Sequence, residues 1–320
     1  MERRMEVVKP FVKWAGGKNS LIPQLTKYYP LELKDGTIER YIEPFVGGGA
    51  VLIDILQKYE VKEAYAFDIN KDLINCYNVI KDNVESLIME LDKKEKVFIA
   101  LNSEDRQKYF YDIRTEYNSY QLNENIDVKR ASEFIFLNRT CFNGLYRVNK
   151  DGKFNVPCGK YKNPTICDAK NLRNLSKLIK NVVFECGDYQ KSESLVNGNT
   201  FVYFDPPYRP LSVTSGFTSY TREDFNDENQ KELADYYNKL SMKNAKLMLS
   251  NSNPKNVNKE DDFFERIYKG FNINEVSAKR MINANAKGRG EISELLITNY
   301  EEQSKWEFQK NSTIKMIALA

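Results

Sequence analysis

The chain has 320 residues, 41% of them hydrophobic and 12% aromatic, with a net charge of +3, which is typical of a globular protein. It contains no histidine, which excludes Ser-His and Cys-His nucleophile systems and most catalytic zinc sites. Its five cysteines form no Cys-x-x-Cys pair and no apolar run is long enough to span a bilayer, so we expect a cytoplasmic protein without disulfides, metal ligands or membrane segments.

The first predicted feature is a short apolar stretch that runs from Pro10 into a turn at Gly16 and Gly17, followed by an amphipathic helix. Glycines allow close approach of a ligand to the backbone, while Trp14 offers a stacking face and Lys18 a positive charge. The longer Gly-x-x-x-x-Gly-Lys-Ser/Thr phosphate loop is absent, which disfavours nucleoside triphosphate chemistry.

A second glycine-rich turn, at residues 47–49, lies between a strand that begins near Arg40 and a helix. The next strand ends at Asp68, 19 residues after Gly49. This spacing is typical of an α/β unit that binds a nucleoside, with the acid bonded to the ribose diol. The glycines depart from the Gly-x-Gly-x-x-Gly pattern, which argues against NAD and for another adenosine-bearing cofactor. A purely structural glycine turn is the alternative.

Helical patterns then interrupt the strand–helix alternation up to Asn181. We predict an inserted, mainly helical target-recognition domain at 71–181, between two parts of a catalytic domain at 1–70 and 182–320. Between Leu137 and Lys180 the chain has ten Lys and Arg against two Asp, a local charge of +8. Such a patch indicates a polyanion-binding surface, and a solvated lysine-rich surface is the alternative.

The insertion contains a segment at 138–149 in which aromatic, amide and guanidinium side chains surround Gly144, where we predict a turn. Such side chains suit entry into a DNA groove, with an arginine bidentate to guanine and an apolar wedge that opens the base stack. The alternative is a polar hairpin that packs on its own aromatic residues.

After the insertion, a strand at 182–186 is followed by Asp188 and Tyr189, which could hold the amine and the ring of a bound adenine. The next strand, 200–204, is continuously apolar or β-branched and ends in Asp205-Pro206-Pro207-Tyr208. Open α/β sheets bind ligands at such carboxyl ends. Later strands are predicted at 245–252 and 291–299, giving six assigned from pattern alone.

The Asp-Pro-Pro-Tyr corner suits methylation of an exocyclic amine. A carboxylate and a proline carbonyl are both acceptors, so together they can hold the two hydrogens of an NH₂ group and free the nitrogen lone pair for attack. Tyr208 could stack on the base, and the loop from Arg209 to Phe225 could close over it. A strand that merely ends in a Pro-Pro turn with a capping Asp205 is the structural alternative.

Together these motifs resemble the Dam-like DNA adenine-N6 methyltransferases over Lys9 to about Asn299. The residues that carry the resemblance are Phe-Val-Lys-Trp-Ala-Gly-Gly-Lys at 11–18, Glu-Pro-Phe-Val-Gly-Gly-Gly at 43–49, Asp-Ile-Asn at 68–70, Asn-Arg-x-x-Phe-Asn-Gly-Leu-x-Arg at 138–147, Phe-Asn-Val-Pro-x-Gly-x-Tyr at 154–161, Asp-Pro-Pro-Tyr at 205–208 and Glu-Leu-Leu at 294–296. The resemblance implies a seven-stranded Rossmann-like methyltransferase sheet of the α/β class, with S-adenosylmethionine as cofactor.

The resemblance also implies roles for individual residues. The cofactor would be bound by Trp14, Lys18, Glu43, Phe45, Gly47, Gly49, Asp68, Ile69, Asp188, Tyr189 and Asp205. The flipped adenine would be gripped by Asp205, Pro206, Pro207 and Tyr208. DNA would be contacted by Lys13, Arg139, Phe142, Asn143, Leu145, Arg147 and Pro157. Among these, Arg147 is the expected guanine reader, Lys13 contacts the outer guanine, and Phe142 is the wedge, at a position where the family often has Tyr.

The implied activity is transfer of a methyl group to N6 of adenine in double-stranded DNA, with GATC as the favoured site. A companion restriction endonuclease is a further possible partner. Two alternatives stay open at this point: N4-cytosine methylation, which uses the same type of corner, and a catalytically silent sequence-specific DNA-binding protein. An NAD-type oxidoreductase is disfavoured by the glycine pattern.

Overall fold

The computed structural model describes residues 7–122, 126–210, 225–279 and 291–301. The strands in these residues are β1 (Arg40–Glu43), β2 (Glu63–Asp68), β3 (Val182–Cys186), β4 (Thr200–Phe204), β5 (Lys246–Ser252), β6 (Asn272–Lys279) and β7 (Glu291–Thr298). The α-helices are α1 (Ile22–Tyr28), α2 (Leu31–Lys34), α3 (Ala50–Lys58), α4 (Lys71–Asp82), α5 (Val84–Ala100), α6 (Ser103–Ser119), α7 (Val128–Thr140), α8 (Ala169–Leu178), α9 (Asp227–Ser241) and α10 (Phe263–Ile267).

The strands form one seven-stranded sheet in the order β3-β2-β1-β4-β5-β7-β6. Strands β1 to β5 pair in parallel, and β7 is antiparallel to both of its neighbours, β5 and β6. The predicted α/β class and seven-stranded sheet are confirmed. Strand order reverses between β1 and β4, so the crevice outside their carboxyl ends is the expected ligand site.

Strand β4 lies in the middle of the sheet, between β1 and β5, and all five of its residues are buried. This agrees with its continuous apolar sequence, which is typical of a strand covered on both faces. Strand β6 was missed by the sequence pattern. It is an edge strand whose residues, beginning Asn272-Ile273-Asn274-Glu275, are mostly polar, so it lacks the apolar alternation that signals a strand.

Helices α5, α6 and α7, which lie in the segment predicted to be a helical insertion, pack together, and α4 contacts α7 as well as strands β2 and β3. A single hydrophobic cluster includes residues of the sheet, such as Phe201, and of the helices, such as Phe134. A buried ion pair joins α4 to α7: Arg130 donates to both carboxylate oxygens of Asp72, at 2.6 and 3.0 Å. The domain boundaries after residues 70 and 181 stay a prediction.

Every helix in the described ranges is too short or too polar to cross a membrane. Three predicted features lie outside the described residues: the central part of the loop after Arg209 (211–224), the polar loop up to Gly290 (283–290) and the tail at 302–320.

Candidate active site

Strand β4 delivers Asp205 to the switch point, where its carboxylate pairs with Lys18 at 2.7 Å. The Lys18 side chain is only 3% exposed; its ammonium also donates to the carbonyl of Gly16 at 2.6 Å and lies 4.6 Å from the centre of the Tyr208 ring. Burial raises the pKa of Asp205 to about 6, and Lys18 opposes that shift. The sequence-predicted catalytic acid, lysine and aromatic ring are therefore in one cluster.

Glu43 ends strand β1 beside this cluster and is buried. It accepts a hydrogen bond from the hydroxyl of Tyr41 at 2.7 Å. Burial raises the pKa of the Glu43 carboxyl well above its usual value, and the neighbouring Asp205 raises it further. The site thus combines one buried cation with two acids at the ends of adjacent strands.

The glycine turn connects β1 to the acid at the end of β2. The Gly47 N–H donates to Asp68 Oδ2 at 3.1 Å, and the Asn70 N–H donates to Asp68 Oδ1 at 2.8 Å. Burial raises the pKa of Asp68 to about 6, opposed by these two backbone hydrogen bonds. Trp14 packs against the turn so closely that a Cβ at residue 47 would lie 2.8 Å from its ring. The turn therefore requires glycine at that position.

An aromatic pair, Phe45 and Tyr189, lies in the segments that follow β1 and β3. Phe45, in the loop after β1, stacks on Tyr189 with ring centres 5.4 Å apart. Asp188 is exposed and accepts the N–H of Gln190 at 2.9 Å, so its carboxylate also caps the short helical segment that follows. Ile69 follows β2 and is 56% exposed. Apart from Trp14 and Lys18, which lie on the amino-terminal segment before β1, the predicted cofactor-binding residues lie at or just after the carboxyl ends of β1 to β4.

The Pro-Pro-Tyr turn is held by residues that sequence reasoning missed. The Pro207 carbonyl accepts a hydrogen bond from the side chain of Gln230 at 3.0 Å, so one acceptor of this carbonyl is already bonded within the protein. The Tyr208 hydroxyl donates to Glu294, which lies on β7. A signal for Gln230 existed: it is a polar residue on the same helical face as Leu233 and Tyr237, which are buried.

The segment predicted to contact DNA forms a hairpin, in which Val148 and Phe154 pair in antiparallel fashion. Arg147 is exposed and its Nε donates to Asn155 Oδ1 at 2.7 Å. Phe142 is 53% exposed, and its N–H donates to the carbonyl of Pro157 at 2.9 Å. The predicted guanine reader, Arg147, and the predicted wedge, Phe142, are therefore both exposed on the same hairpin segment.

The amino-terminal segment is tied to this hairpin through Asn138. Its amide bonds the N–H and the carbonyl of Lys13, at 2.9 and 2.8 Å, and the carbonyl of Gly144 at 3.0 Å. The Lys13 stem packs on Gly144, where an added Cβ would lie 2.3 Å from its Cδ. Asn143 has a positive φ of 56°, and Leu145 is half-buried. Lys13 is exposed beside the candidate DNA-contact loop.

Arg139, which is predicted to contact DNA, is bonded to the protein backbone in this structure. Its Nε and Nη2 both donate to the carbonyl of Phe11, at 3.1 and 2.8 Å, and burial lowers the pKa of the guanidinium. Arg139 therefore fastens the amino-terminal segment to the end of α7. Its partner is a backbone carbonyl 128 residues away, which no local pattern indicates.

The seven-stranded sheet and the acidic corner at its switch point define a methyltransferase of the Rossmann-like class. The model of the family described as D12 class N6 adenine-specific DNA methyltransferase matches residues 14–282. The chain belongs to this family and is an adenine-specific DNA methyltransferase. The N6-adenine prediction is confirmed, and the alternatives of N4-cytosine methylation and a silent DNA-binding protein are not supported.

Similar proteins extend over nearly the whole chain. A type II methyltransferase, M.MjaIII, of Methanocaldococcus jannaschii is 54% identical over 294 residues, which cover 92% of this chain and 99% of the relative. A second one, M1.LlaDCHI of Lactococcus lactis subsp. cremoris, is 38% identical and covers 92% of this chain and 96% of itself. A DNA adenine methylase of Vibrio cholerae is 33% identical, with 91% and 96% covered.

Proposed function

We propose that the enzyme transfers the methyl group of S-adenosylmethionine to N6 of a flipped-out adenine within GATC in double-stranded DNA. The observation that carries the proposal is the cluster of Asp205, Lys18 and Tyr208 at the carboxyl end of β4, beside the glycine turn after β1. It joins acceptors for an amine, a stacking ring and the ligand crevice of the sheet in one place.

The donor set of the crevice fits S-adenosylmethionine. Asp68 suits the ribose hydroxyls, because its oxygens are pure acceptors at the end of β2. The Phe45–Tyr189 pair and the Asp188 carboxylate suit the adenine ring and its amine. Trp14, Lys18, Glu43 and the glycine turn complete the proposed binding set, with Ile69 beside it. When bound, S-adenosylmethionine supplies a methyl group on a sulfonium, which an amine can attack directly.

The chain's own residues then hold and orient the target amine. The Asp205 carboxylate accepts one amine hydrogen, and the Pro206 carbonyl accepts the other, since the Pro207 carbonyl is bonded to Gln230. Lys18 favours the ionised form of Asp205, which is the form that accepts. The Tyr208 ring stacks on the extruded base, which partly offsets an unstacking cost of a few kcal/mol.

Recognition of the site is proposed to come from the hairpin and the amino-terminal segment. Arg147 reads a guanine through its guanidinium, Lys13 contacts the outer guanine, and Phe142 enters the gap left by the flipped base. Asn143, Leu145 and Pro157 contact neighbouring bases. Two relatives have type II methyltransferase names, which supports a companion restriction endonuclease of the same specificity as a further partner.

The test compares the wild-type enzyme with Asp205→Ala, using labelled S-adenosylmethionine and a GATC duplex. We expect wild-type transfer to yield N6-methyladenine and the variant to give no detectable transfer, because the amine loses its carboxylate acceptor. Duplex binding by the variant should persist, since the hairpin is unchanged. Undiminished transfer by Asp205→Ala would refute the assignment of this corner, and loss of duplex binding in a folded variant would refute the division of roles.

A further inference from the structure

Two fully buried amide side chains, Gln230 on α9 and Asn251 on β5, lie behind the Asp-Pro-Pro-Tyr turn. Asn251 Nδ2 donates to Gln230 Oε1 at 3.0 Å, and Gln230 Nε2 donates to the Pro207 carbonyl at 3.0 Å. On its other side, Asn251 Oδ1 accepts the N–H groups of Arg209 and Ser252, at 3.1 and 2.9 Å. The two amides thus connect the carboxyl-terminal side of the turn, at Pro207 and Arg209, to α9 and β5.

The donor and the acceptor of each hydrogen bond in this series, from Arg209 through Asn251 and Gln230 to Pro207, follow from the chemistry of the backbone groups at its two ends. Backbone N–H groups can only donate, so Asn251 must present its oxygen to Arg209 and its NH₂ group to Gln230. Gln230 must then present its oxygen to Asn251 and its NH₂ group to the Pro207 carbonyl, which can only accept. Each end therefore needs an amide, and a carboxylate at either position would oppose an acceptor.

We propose that Gln230 and Asn251 are positioning residues for methyl transfer. They fix the Pro207 carbonyl and the backbone N–H of Arg209, directly after Asp205 and Pro206, so that the turn keeps the Asp205 carboxylate and the Pro206 carbonyl aimed at the target amine. The Arg209 side chain adds a second anchor, because it is bonded to Asp227 at 2.7 Å and to Asp261 at 2.8 Å. This inference rests on the proposed function of the corner and adds two residues to it.

The discriminating variant is Gln230→Glu, which keeps the shape and the oxygen that faces Asn251. When protonated, the new carboxyl can donate to the Pro207 carbonyl as the amide does; when ionised, it repels that carbonyl. Single-turnover methyl transfer is measured at saturating S-adenosylmethionine and GATC duplex over a range of pH. We expect the ratio of variant to wild-type rate to be highest at low pH and to fall by up to about tenfold per pH unit above the pKa of the new carboxyl.

Two further variants separate positioning from folding. Gln230→Met removes the bond at every pH, so its transfer rate should be about tenfold to a hundredfold lower and its ratio to wild type flat, as expected for a misplaced reacting group. Asn75→Asp is the matched control. Asn75 is also a buried amide, and it donates to the backbone carbonyl of Asp127 at 2.9 Å. It lies on α4 and bonds the start of α7, away from the Asp-Pro-Pro-Tyr turn. Its melting temperature should vary with pH, while its transfer ratio should not.

A pH-independent ratio for Gln230→Glu, or a wild-type rate for Gln230→Met, would overturn the positioning role. Substrate affinities are measured alongside, and a loss confined to the KM for DNA or for S-adenosylmethionine would overturn it as well. If Gln230→Met does not fold, the pH series with Gln230→Glu decides alone. A wild-type enzyme that transfers no methyl group would overturn the proposed function and this inference together, whereas a flat ratio beside an active wild type would overturn the inference only.

Discussion

Asp205 illustrates how one carboxylate is kept available as an acceptor in a buried site. Burial disfavours its charge, and Glu294 adds repulsion, while the ammonium of Lys18 at 2.7 Å favours the ionised form. The balance gives a pKa of about 6, so the carboxyl is ionised at neutral pH. The same residue would be a donor in acid, where it could no longer accept a hydrogen from the target amine.

The first prediction concerns this titration. At saturating S-adenosylmethionine, kcat/KM for a GATC duplex should fall as the pH drops below about 6, because Asp205 becomes protonated. Steady-state rates over a pH series measure the effect. Asp68 also has a pKa raised to about 6, so Asp68→Asn serves as the control. At saturating cofactor, kcat/KM of this variant should still fall as the pH drops below about 6. A value of kcat/KM that stays constant through this pH range in folded enzyme would contradict the role of Asp205.

At the scale of elements, the hairpin after α7 is positioned by bonds that its own sequence does not reveal. Asn138, at the end of α7, holds Lys13 and Gly144 together, so the amino-terminal segment and the hairpin form one surface. Tyr146 anchors the same surface from below: its ring stacks on Trp14 with centres 5.5 Å apart and packs against Phe154 at 5.9 Å. The candidate guanine reader, Arg147, thus follows a residue that contacts the candidate cofactor-binding Trp14.

The second prediction concerns specificity. Arg147→Ala should relax discrimination at one guanine of the site by about 1–3 kcal/mol, because a bidentate contact to that base is lost. Relative kcat/KM values for GATC and for duplexes with that guanine replaced measure the effect. Arg173→Ala is the control, since Arg173 is an exposed arginine of the same basic segment that pairs with Glu85 on α5 at 2.7 Å. Equal site preference in Arg147→Ala and wild type would remove Arg147 as a reader.

For the molecule as a whole, the sheet and helices α4 to α7 share a core, and the buried pair of Asp72 and Arg130 joins α4 to α7. Arg130 also donates to the carbonyls of Tyr117 and Tyr120, both at 2.8 Å, and Tyr117 donates its hydroxyl to Asp72 at 2.8 Å. Removing one partner of a buried, hydrogen-bonded pair leaves an uncompensated charge. The pair therefore joins α4, the helix that follows β2, to α7.

The third prediction concerns this connection. Asp72→Ala should lower the free energy of unfolding by about 3–5 kcal/mol, because the Arg130 guanidinium loses its carboxylate in a buried place. Denaturant unfolding measures it. Glu85→Ala breaks the exposed pair with Arg173 and should lower the free energy of unfolding far less, because exposed ion pairs contribute little to stability. Equal losses in the two variants would show that the buried pair has no special structural weight.

Local signals in the sequence were sufficient for six of the seven strands and for the Asp-Pro-Pro-Tyr corner. The apolar run of β4 and the prolines that end it indicated the position of Asp205. The glycine turn at 47–49 indicated the end of β1, the strand beside β4. Features that depend on tertiary partners were not predictable in this way. Gln230 and Asn251 acquire their role only because α9 packs behind the turn, and Arg139 is taken up by a distant carbonyl. Strand β6 lies at the edge of the sheet, and most of its described side chains are partly or fully exposed. The strand therefore forms without a regular alternation of apolar residues.

Methylation of adenine within GATC at the Asp205 corner is tested most directly by a transfer experiment with labelled S-adenosylmethionine. The substrates are duplexes that contain GATC and matched duplexes in which one base of the site is changed. The methylated base is then identified. We expect N6-methyladenine confined to GATC. N6-methyladenine at other sites would keep the chemistry of the Asp205 corner and contradict the roles given to Lys13, Phe142 and Arg147. N4-methylcytosine, or no transfer to any duplex, would contradict the account of the corner itself.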